Sequence, residues 1–156
     1  MKVSEWLRNV RRPYIETAPL IYYIETNPAY IDRMDNIITG FEHNKTIAYS
    51  STITLTEVLV HPLRFGDTEL AQAYRNILLH SEGFLLLPIT DRVAEAAADL
   101  RAKYTLRTPD ALHLATAIEN MCDAFLTNDA RLVRVTDIAV QMLDDLEMDL
   151  SPGDST

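Results

Sequence analysis

Apolar positions along this chain fall in short blocks set off by polar turns, and two spacings alternate between them. Compact apolar blocks at Pro13 to Ile15, Ile47 to Tyr49, Phe84 to Ile89, Ala124 to Leu126 and Ile138 to Met142 read as strands. Between them, apolar residues recur every three or four positions, the period of a helix with one buried face. Ala18 to Glu25 and Ile31 to Phe41 read as helices broken at Asn27-Pro28. Ser50-Ser51-Thr52 supplies N-cap chemistry for a helix through Ile53, Leu55, Glu57, Val58 and Leu59, expected to stop at Pro62. Asp67-Thr68 opens a helix through Leu70, Tyr74, Ile77 and Leu78 that closes near Gly83, and Thr90-Asp91 caps an alanine-rich helix from Val93 to Tyr104. Thr108-Pro109-Asp110 is the sharpest start, with Thr108 expected at the N-cap, Pro109 at the first helical position and an acid in the first turn.

Strands that alternate with one or two helices predict an α/β domain, a three-layer α/β/α sandwich around a central parallel sheet. Phe84 to Ile89, apolar without interruption, is expected to be buried on both faces. The division expected is a basic N-terminal extension over 1–12, read by default as solvated surface, one domain over 13–143 and an acidic polar tail over 144–156. With 156 residues, 47% of them hydrophobic, such a domain needs no disulfide or metal merely to fold. Disordered and collagen-like classes are excluded. Phe84 to Pro88 and Leu20 to Ile24 are the longest apolar runs, far short of the ~20 residues that cross a bilayer. MKVSEWLRNVRR has no apolar segment of the secretory kind, and Cys122 is the single cysteine, so a reducing, cytoplasmic location is expected and no membrane association.

A net charge of −9 opposes nucleic-acid binding by overall field, so any phosphate contact has to be local. The excess of acids raises a sharper question, whether some of them converge. In open parallel sheets ligands bind beyond the carboxyl ends of the strands. Glu16 directly follows the first strand, Asp129 closes the fourth after Thr127-Asn128, Asp110 lies in the first turn of the helix before that strand, and Glu57 sits in the helix after the second. Taken singly, Asp110 is also a first-turn acid favoured by the helix dipole, Asp129 a turn residue, and Glu16 a solvated surface acid. Glu57 is less easily explained, because it stands among Leu55, Val58 and Leu59 with only Ile53, Thr54, Val60 and His61 three or four positions away. Four acids at one sheet edge form an oxygen donor set for Mg²⁺ or Mn²⁺.

The stretches YIETAPLIYYIE, TLTEVL, TPDALHLATAI and FLTND together resemble the PIN-domain nucleases, many of which are VapC-type toxins of prokaryotic toxin–antitoxin pairs. The resemblance runs from about Tyr14 to Leu143. Matched position by position, it implies that Glu16, Glu57, Asp110 and Asp129 are the catalytic metal ligands. Thr17, Thr127 and Asn128 match the supporting positions around them. The usual first acid of the family is aspartate. Glu16 is one methylene longer, which keeps the charge and the oxygen donors while shifting their geometry. The resemblance further implies a Mg²⁺- or Mn²⁺-dependent endoribonuclease that leaves a 5′-phosphate and a 3′-hydroxyl, works as a homodimer on an RNA substrate, and has a cognate antitoxin as partner. Arg107, Arg131 and Arg134, near the acids in sequence, are candidates for RNA-phosphate contacts.

Other constellations fail. His43, His61, His80 and His113 lack zinc spacing. His113, three residues after Asp110, reads first as a packing or surface histidine. Glycines only at 40, 66, 83 and 153 leave no phosphate loop, and no nucleophile elbow appears. A receiver-type signalling domain would want an acidic pair after the first strand and a lysine at a late strand end. Lysines stand only at 2, 45 and 103. A nuclease-dead scaffold of the same fold is the remaining alternative, which Glu16 keeps open.

Overall fold

In the computed structural model, which describes residues 1–149, the five expected strands form one parallel sheet. They are β1 (Pro13–Ile15), β2 (Ala48–Ser51), β3 (Phe84–Leu87), β4 (Ala124–Thr127) and β5 (Val140–Met142), in the spatial order β3-β2-β1-β4-β5. The chain builds outward from β1 through β2 to β3 and then returns to lay β4 on the other side of β1. The gap between the carboxyl ends of β1 and β4 is therefore the point where the winding reverses, the place where such sheets bind ligands. Tyr14 pairs with Phe125 and Ile15 with Leu126, and Glu16 continues the ladder by donating its N–H to the Leu126 carbonyl at 2.9 Å.

Alternation along the central strands divides the core between the two faces of the sheet. Ile15 and Leu126 face one layer with Leu20, Met34, Ile37 and Phe41, drawn from α2 (Thr17–Ile24) and α3 (Ile31–His43). That layer also holds Val58 of α4 (Thr52–Phe65) and Tyr74 and Leu78 of α5 (Thr68–His80). Tyr14 and Phe125, stacked with ring centroids 5.1 Å apart, face the other layer. There α6 (Asp91–Tyr104) and α7 (Thr108–Glu119) supply Val93, Ala97, Leu100, Ala111, Leu114 and Ala115. The small side chains of α7 let it lie close to both the sheet and α6, and Ala111 through Ala117 is buried almost continuously.

Four expectations give way here. Helix α4 passes through Pro62 and ends at Gly66, whose φ of +70° is the left-handed closure that glycine tolerates. A proline in the last turn removes only its own N–H bond, and the buried Pro62 ring with the Asp67 N–H on its carbonyl at 2.8 Å holds the end together. The run Phe84 to Ile89 yields only the edge strand β3, and Leu85 is 51% exposed, because a strand at the border of the sheet has one neighbour and incomplete cover. Arg107, one residue before Thr108, is the N-cap of α7. The fourth concerns the N-terminus, where solvated surface was expected. Residues Val3–Asn9 form a helix, α1, that buries Val3 and Trp6, with Trp6 against Phe41 at 6.0 Å between ring centroids.

Two basic residues of this segment, Lys2 and Arg12, are engaged by the protein itself. Lys2 pairs with Glu147 at 3.0 Å, the Val3 N–H bonds the Glu147 carbonyl, and Arg12 lies over the Tyr49 ring while donating to its hydroxyl at 2.9 Å. Ser4 donates its hydroxyl to Asp149 at 2.6 Å. The beginning of the predicted acidic tail is thus packed, with Leu146 buried beside α1, and 150–156 lie outside the described residues. If α1 belongs to the core in this way, Trp6→Ala should cost about 3–5 kcal/mol, the range for truncating a buried aromatic side chain. Urea unfolding followed by fluorescence or circular dichroism measures it. A loss of about 0.5 kcal/mol or less, the size of a surface substitution, would show the helix to be a loose appendage.

Candidate active site

Glu16 is the first residue beyond the central strand, and the ladder bond of its backbone to β4 fixes where its side chain starts. Only 8% of it is exposed. Burial pushes its carboxyl above the usual glutamate range, and the negative charges of Asp110 and Asp129 push the same way, while the Thr127 hydroxyl and His113 oppose them. Thr127 donates its hydroxyl to Glu16 Oε2 and accepts the backbone N–H of Asp129 at 3.0 Å. One hydroxyl thereby ties the acid after β1 to the acid after β4.

Asp110 is 6% exposed in the first turn of α7. Its Oδ2 accepts from Arg107 Nε at 3.1 Å. Asp129 N-caps the short 3-10 turn of Ala130–Arg134 by accepting from the Arg131 N–H at 3.0 Å. Both its oxygens also take hydrogen bonds from the Arg131 guanidinium, the shorter at 2.6 Å, and that partner holds the carboxyl below the usual aspartate range. The guanidiniums of Arg107 and Arg131 are themselves exposed, so the cations sit at the mouth and the acids lie deeper. Arg134 stands one step further along the turn and donates to the Arg131 carbonyl.

Glu57 comes from α4 on the opposite wall, 36% exposed in its side chain. It has no basic neighbour on its own helix, as the spacing predicts, but α7 brings one: His113 Nε2 lies 2.6 Å from Glu57 Oε1. Thr17 donates to the same oxygen at 2.9 Å. Burial alone would raise this carboxyl, and the hydrogen bonds from His113 and Thr17, with the nearby Arg107 guanidinium, more than offset it, so Glu57 is held below the usual range and ionised. His113 reaches inward as well, to the Tyr14 hydroxyl at 2.6 Å from Nδ1. Tyr14 is fully buried, which pushes its phenol well above the usual value.

The structure therefore brings Glu16, Asp110 and Asp129 around the β1–β4 gap, with Glu57 facing them across Thr17 and His113. Of the supporting residues, Thr17 and Thr127 touch the acids directly. Asn128 instead braces the loop from behind, donating to the Tyr30 hydroxyl at 3.1 Å and accepting the Asp144 N–H. From the sequence His113 reads first as a packing or surface histidine, with a place facing the cleft as the alternative, and Tyr14 is not singled out. The signal was the i, i+3 spacing of Asp110 and His113, which puts both on one face of α7.

Among the described residues, no three His, Cys, Asp or Glu side chains stand close enough together to cage a metal ion as they are. The donor chemistry nevertheless fits a hard divalent ion. Glu16, Asp110 and Glu57 each have one carboxylate oxygen bonded within the protein and a second with no hydrogen-bond partner among the described residues. Magnesium keeps several of its waters and needs only one or two carboxylates directly.

The raised carboxyl of Glu16 fixes a sign. An acid whose folded value lies above its unfolded one lowers stability at neutral pH, and the deficit disappears as pH falls through the folded value towards the ordinary ~4.3. Glu16→Gln keeps an acceptor for Thr127 and should raise the melting temperature at pH 7, in the absence of divalent ions. The gain should shrink on acidification. Melting curves of both proteins between pH 7 and 4 check this, and a gain that grows towards low pH would reverse the assignment.

The PIN domain model matches residues 14–138 of the chain. No curated protein sequence matches it. Among solved structures, the fold is similar to VapBC2 from Rickettsia felis bound to a DNA fragment from its promoter, at 17% identity and a TM-score of 0.69, covering 84% of this chain and 98% of that one. It is also similar to a toxin-antitoxin complex from Klebsiella pneumoniae, at 22% identity and a TM-score of 0.61, covering 84% and 97%. DNA-bound VapBC from Salmonella typhimurium matches at 17% identity and 0.62, covering 85% and 98%. Identities this low speak for the fold, but the domain model covers most of the chain, and the chain belongs to the PIN domain family.

Proposed function

We propose that this protein is a Mg²⁺- or Mn²⁺-dependent endoribonuclease, the toxin of a toxin–antitoxin pair. The observation that carries the reading is the set of acids at the β1–β4 switch point, three of which keep an oxygen with no hydrogen-bond partner among the described residues. Carboxylates converging without a cation between them are costly, and here Asp110 and Asp129 each hold a guanidinium. Likeness to toxin-antitoxin complexes supports the toxin assignment and, with it, an antitoxin as partner. The homodimer implied by the sequence resemblance is part of the same proposal.

Glu16, Asp110, Asp129 and Glu57 would hold the ion. Bound there, a divalent cation supplies charge neutralisation at the scissile phosphate and makes water a nucleophile at neutral pH. The residues of the chain do the rest. Thr127 keeps Glu16 and Asp129 at a fixed separation, Thr17 and His113 hold one oxygen of Glu57, and burial of Glu16 and Asp110 keeps bulk water away from the reacting group. Arg107 and Arg131 are exposed enough to leave their carboxylates once a metal ion takes over the negative charge, and to meet the backbone phosphates of RNA. Arg134 lies beside them as a third, outer contact. Such local cations reconcile RNA binding with a net charge of −9.

Incubation of purified protein with structured RNA, with Mn²⁺, Mg²⁺ or chelator, tests the reading. Cleavage should require the ion and leave 5′-phosphate ends. Asp110→Asn should lower the rate by at least 10²-fold while leaving the protein folded. Millimolar Mn²⁺ should raise the melting temperature of wild type more than that of Asp110→Asn, because a ligand that binds only the native state stabilises it by mass action. Metal-independent cleavage, or full activity in the variant, would remove the acids from the mechanism. A folded protein with no cleavage and no metal response would favour the binding scaffold.

A further inference from the structure

His113 is 1% exposed, on a stretch of α7 where its neighbours are Ala111, Leu112, Leu114 and Ala115. An apolar side chain would fill that position without the cost of burying two ring nitrogens. Both nitrogens are satisfied, one from the core and one from the cleft: Nδ1 lies 2.6 Å from the Tyr14 hydroxyl and Nε2 lies 2.6 Å from Glu57 Oε1.

We infer that His113, itself fixed by Tyr14, is the positioning residue that holds Glu57 with one oxygen tied back and the other presented to the metal ion. The inference rests on the metal-dependent reading above. An ionised carboxylate can only accept, so Nε2 carries a hydrogen. In a ring with a single N–H, Nδ1 is then bare and accepts the Tyr14 hydroxyl proton, which selects this one of the two tautomers. Tyr14 cannot wander, because its backbone pairs with both Tyr49 and Phe125 in the centre of the sheet and its ring stacks on Phe125. The chain of constraint runs from the sheet through Tyr14 and His113 to Glu57 Oε1.

Glu57 needs such a hold. It projects from α4 with three rotatable bonds and is the most exposed of the acids whose second oxygen is free. Thr17 secures Oε1 from one side and the imidazole from the other, with Thr17 Oγ1 3.3 Å from Nε2. Groups that orient metal ligands in this way commonly change metal affinity or activity by 10–100-fold when removed.

The test uses the full chain and two measurements. Mn²⁺ affinity by calorimetric titration is compared for wild type, His113→Leu, His113→Gln and Tyr14→Phe, each also in a Glu57→Ala background. His113→Leu should weaken Mn²⁺ binding about 10-fold or more. His113→Gln, whose amide nitrogen can reach the Nε2 position, should recover most of the loss, and neither change should matter once Glu57 is alanine. Tyr14→Phe, which keeps the ring and its stack, serves if the leucine variant does not fold, and should weaken binding in the Glu57 background only. Equal losses with and without Glu57, or no loss, overturn the inference. Nitrogen NMR of the metal-free protein gives the second readout. Hydrogen on Nε2 is expected for His113 in wild type, with a mixture of tautomers in Tyr14→Phe, and an Nε2 without hydrogen in wild type overturns the inference. If wild type binds no Mn²⁺, the metal-dependent function fails, and the nitrogen spectrum still judges whether Tyr14 sets the ring that holds Glu57.

Discussion

Glu16 is a carboxylate placed at the end of the central strand and almost wholly withdrawn from water, and the surroundings of the site are organised around that cost. A buried acid without donors would take up a proton or push the fold apart. Thr127 answers with a hydroxyl, and because the same oxygen accepts the Asp129 N–H, the loop that follows β4 is shaped by the act of satisfying Glu16. Parallel pairing makes this possible. Glu16 and Thr127 stand side by side because Ile15 and Leu126 are in register, so the site is a direct extension of the ladder.

The other acids are stabilised by a different rule at each position. Asp129 faces the solvent side and takes a bidentate guanidinium, Asp110 lies deep and takes a single bond from an arginine one turn away, and Glu57 relies on an imidazole from across the cleft. The differences follow depth. Exposed arginines can reach Asp129 and Asp110 from the mouth without being buried themselves, whereas a charge brought under α4 would have to be desolvated, and a histidine hydrogen-bonded at both nitrogens is the less costly donor there.

Much of this was legible in the chain before any coordinates. Short apolar blocks alternating with helical periodicity gave five parallel strands, and the acids that follow strands or open helices were identified by position alone. What stayed hidden depends on contacts distant in sequence. Nothing near Glu57 announces His113, fifty-six residues away, and no local pattern tells an edge strand from a central one, so Phe84 to Ile89 read as buried on both faces. The Pro62 rule failed for a related reason: a proline close to a helix end forfeits one bond only, and burial of its ring decides the outcome. At the N-terminus, charge concealed the pattern. Lys2, Arg8, Arg11 and Arg12 suggested a solvated arm, while Val3, Trp6 and Val10, spaced three and four apart, carry the helical face that packs on α3.

That N-terminal helix also ties into the loop that carries the last acid. Residues 143–147 run past the open side of β5's carboxyl end, where Leu143 and Leu146 enter the same core as Trp6 and the Asp144 N–H bonds the Asn128 side chain. Asn128 lies between Thr127 and Asp129, so the loop bearing the last acid is buttressed by a segment that α1 in turn secures through Lys2, Val3 and Ser4. The two ends of the described chain therefore close on one another behind the loop that carries Asp129. A residue that touches no carboxylate can in this way matter to the site, and the order of dependence is physical: α1 packs the segment, the segment bonds Asn128, and Asn128 leaves Thr127 and Asp129 free to face Glu16.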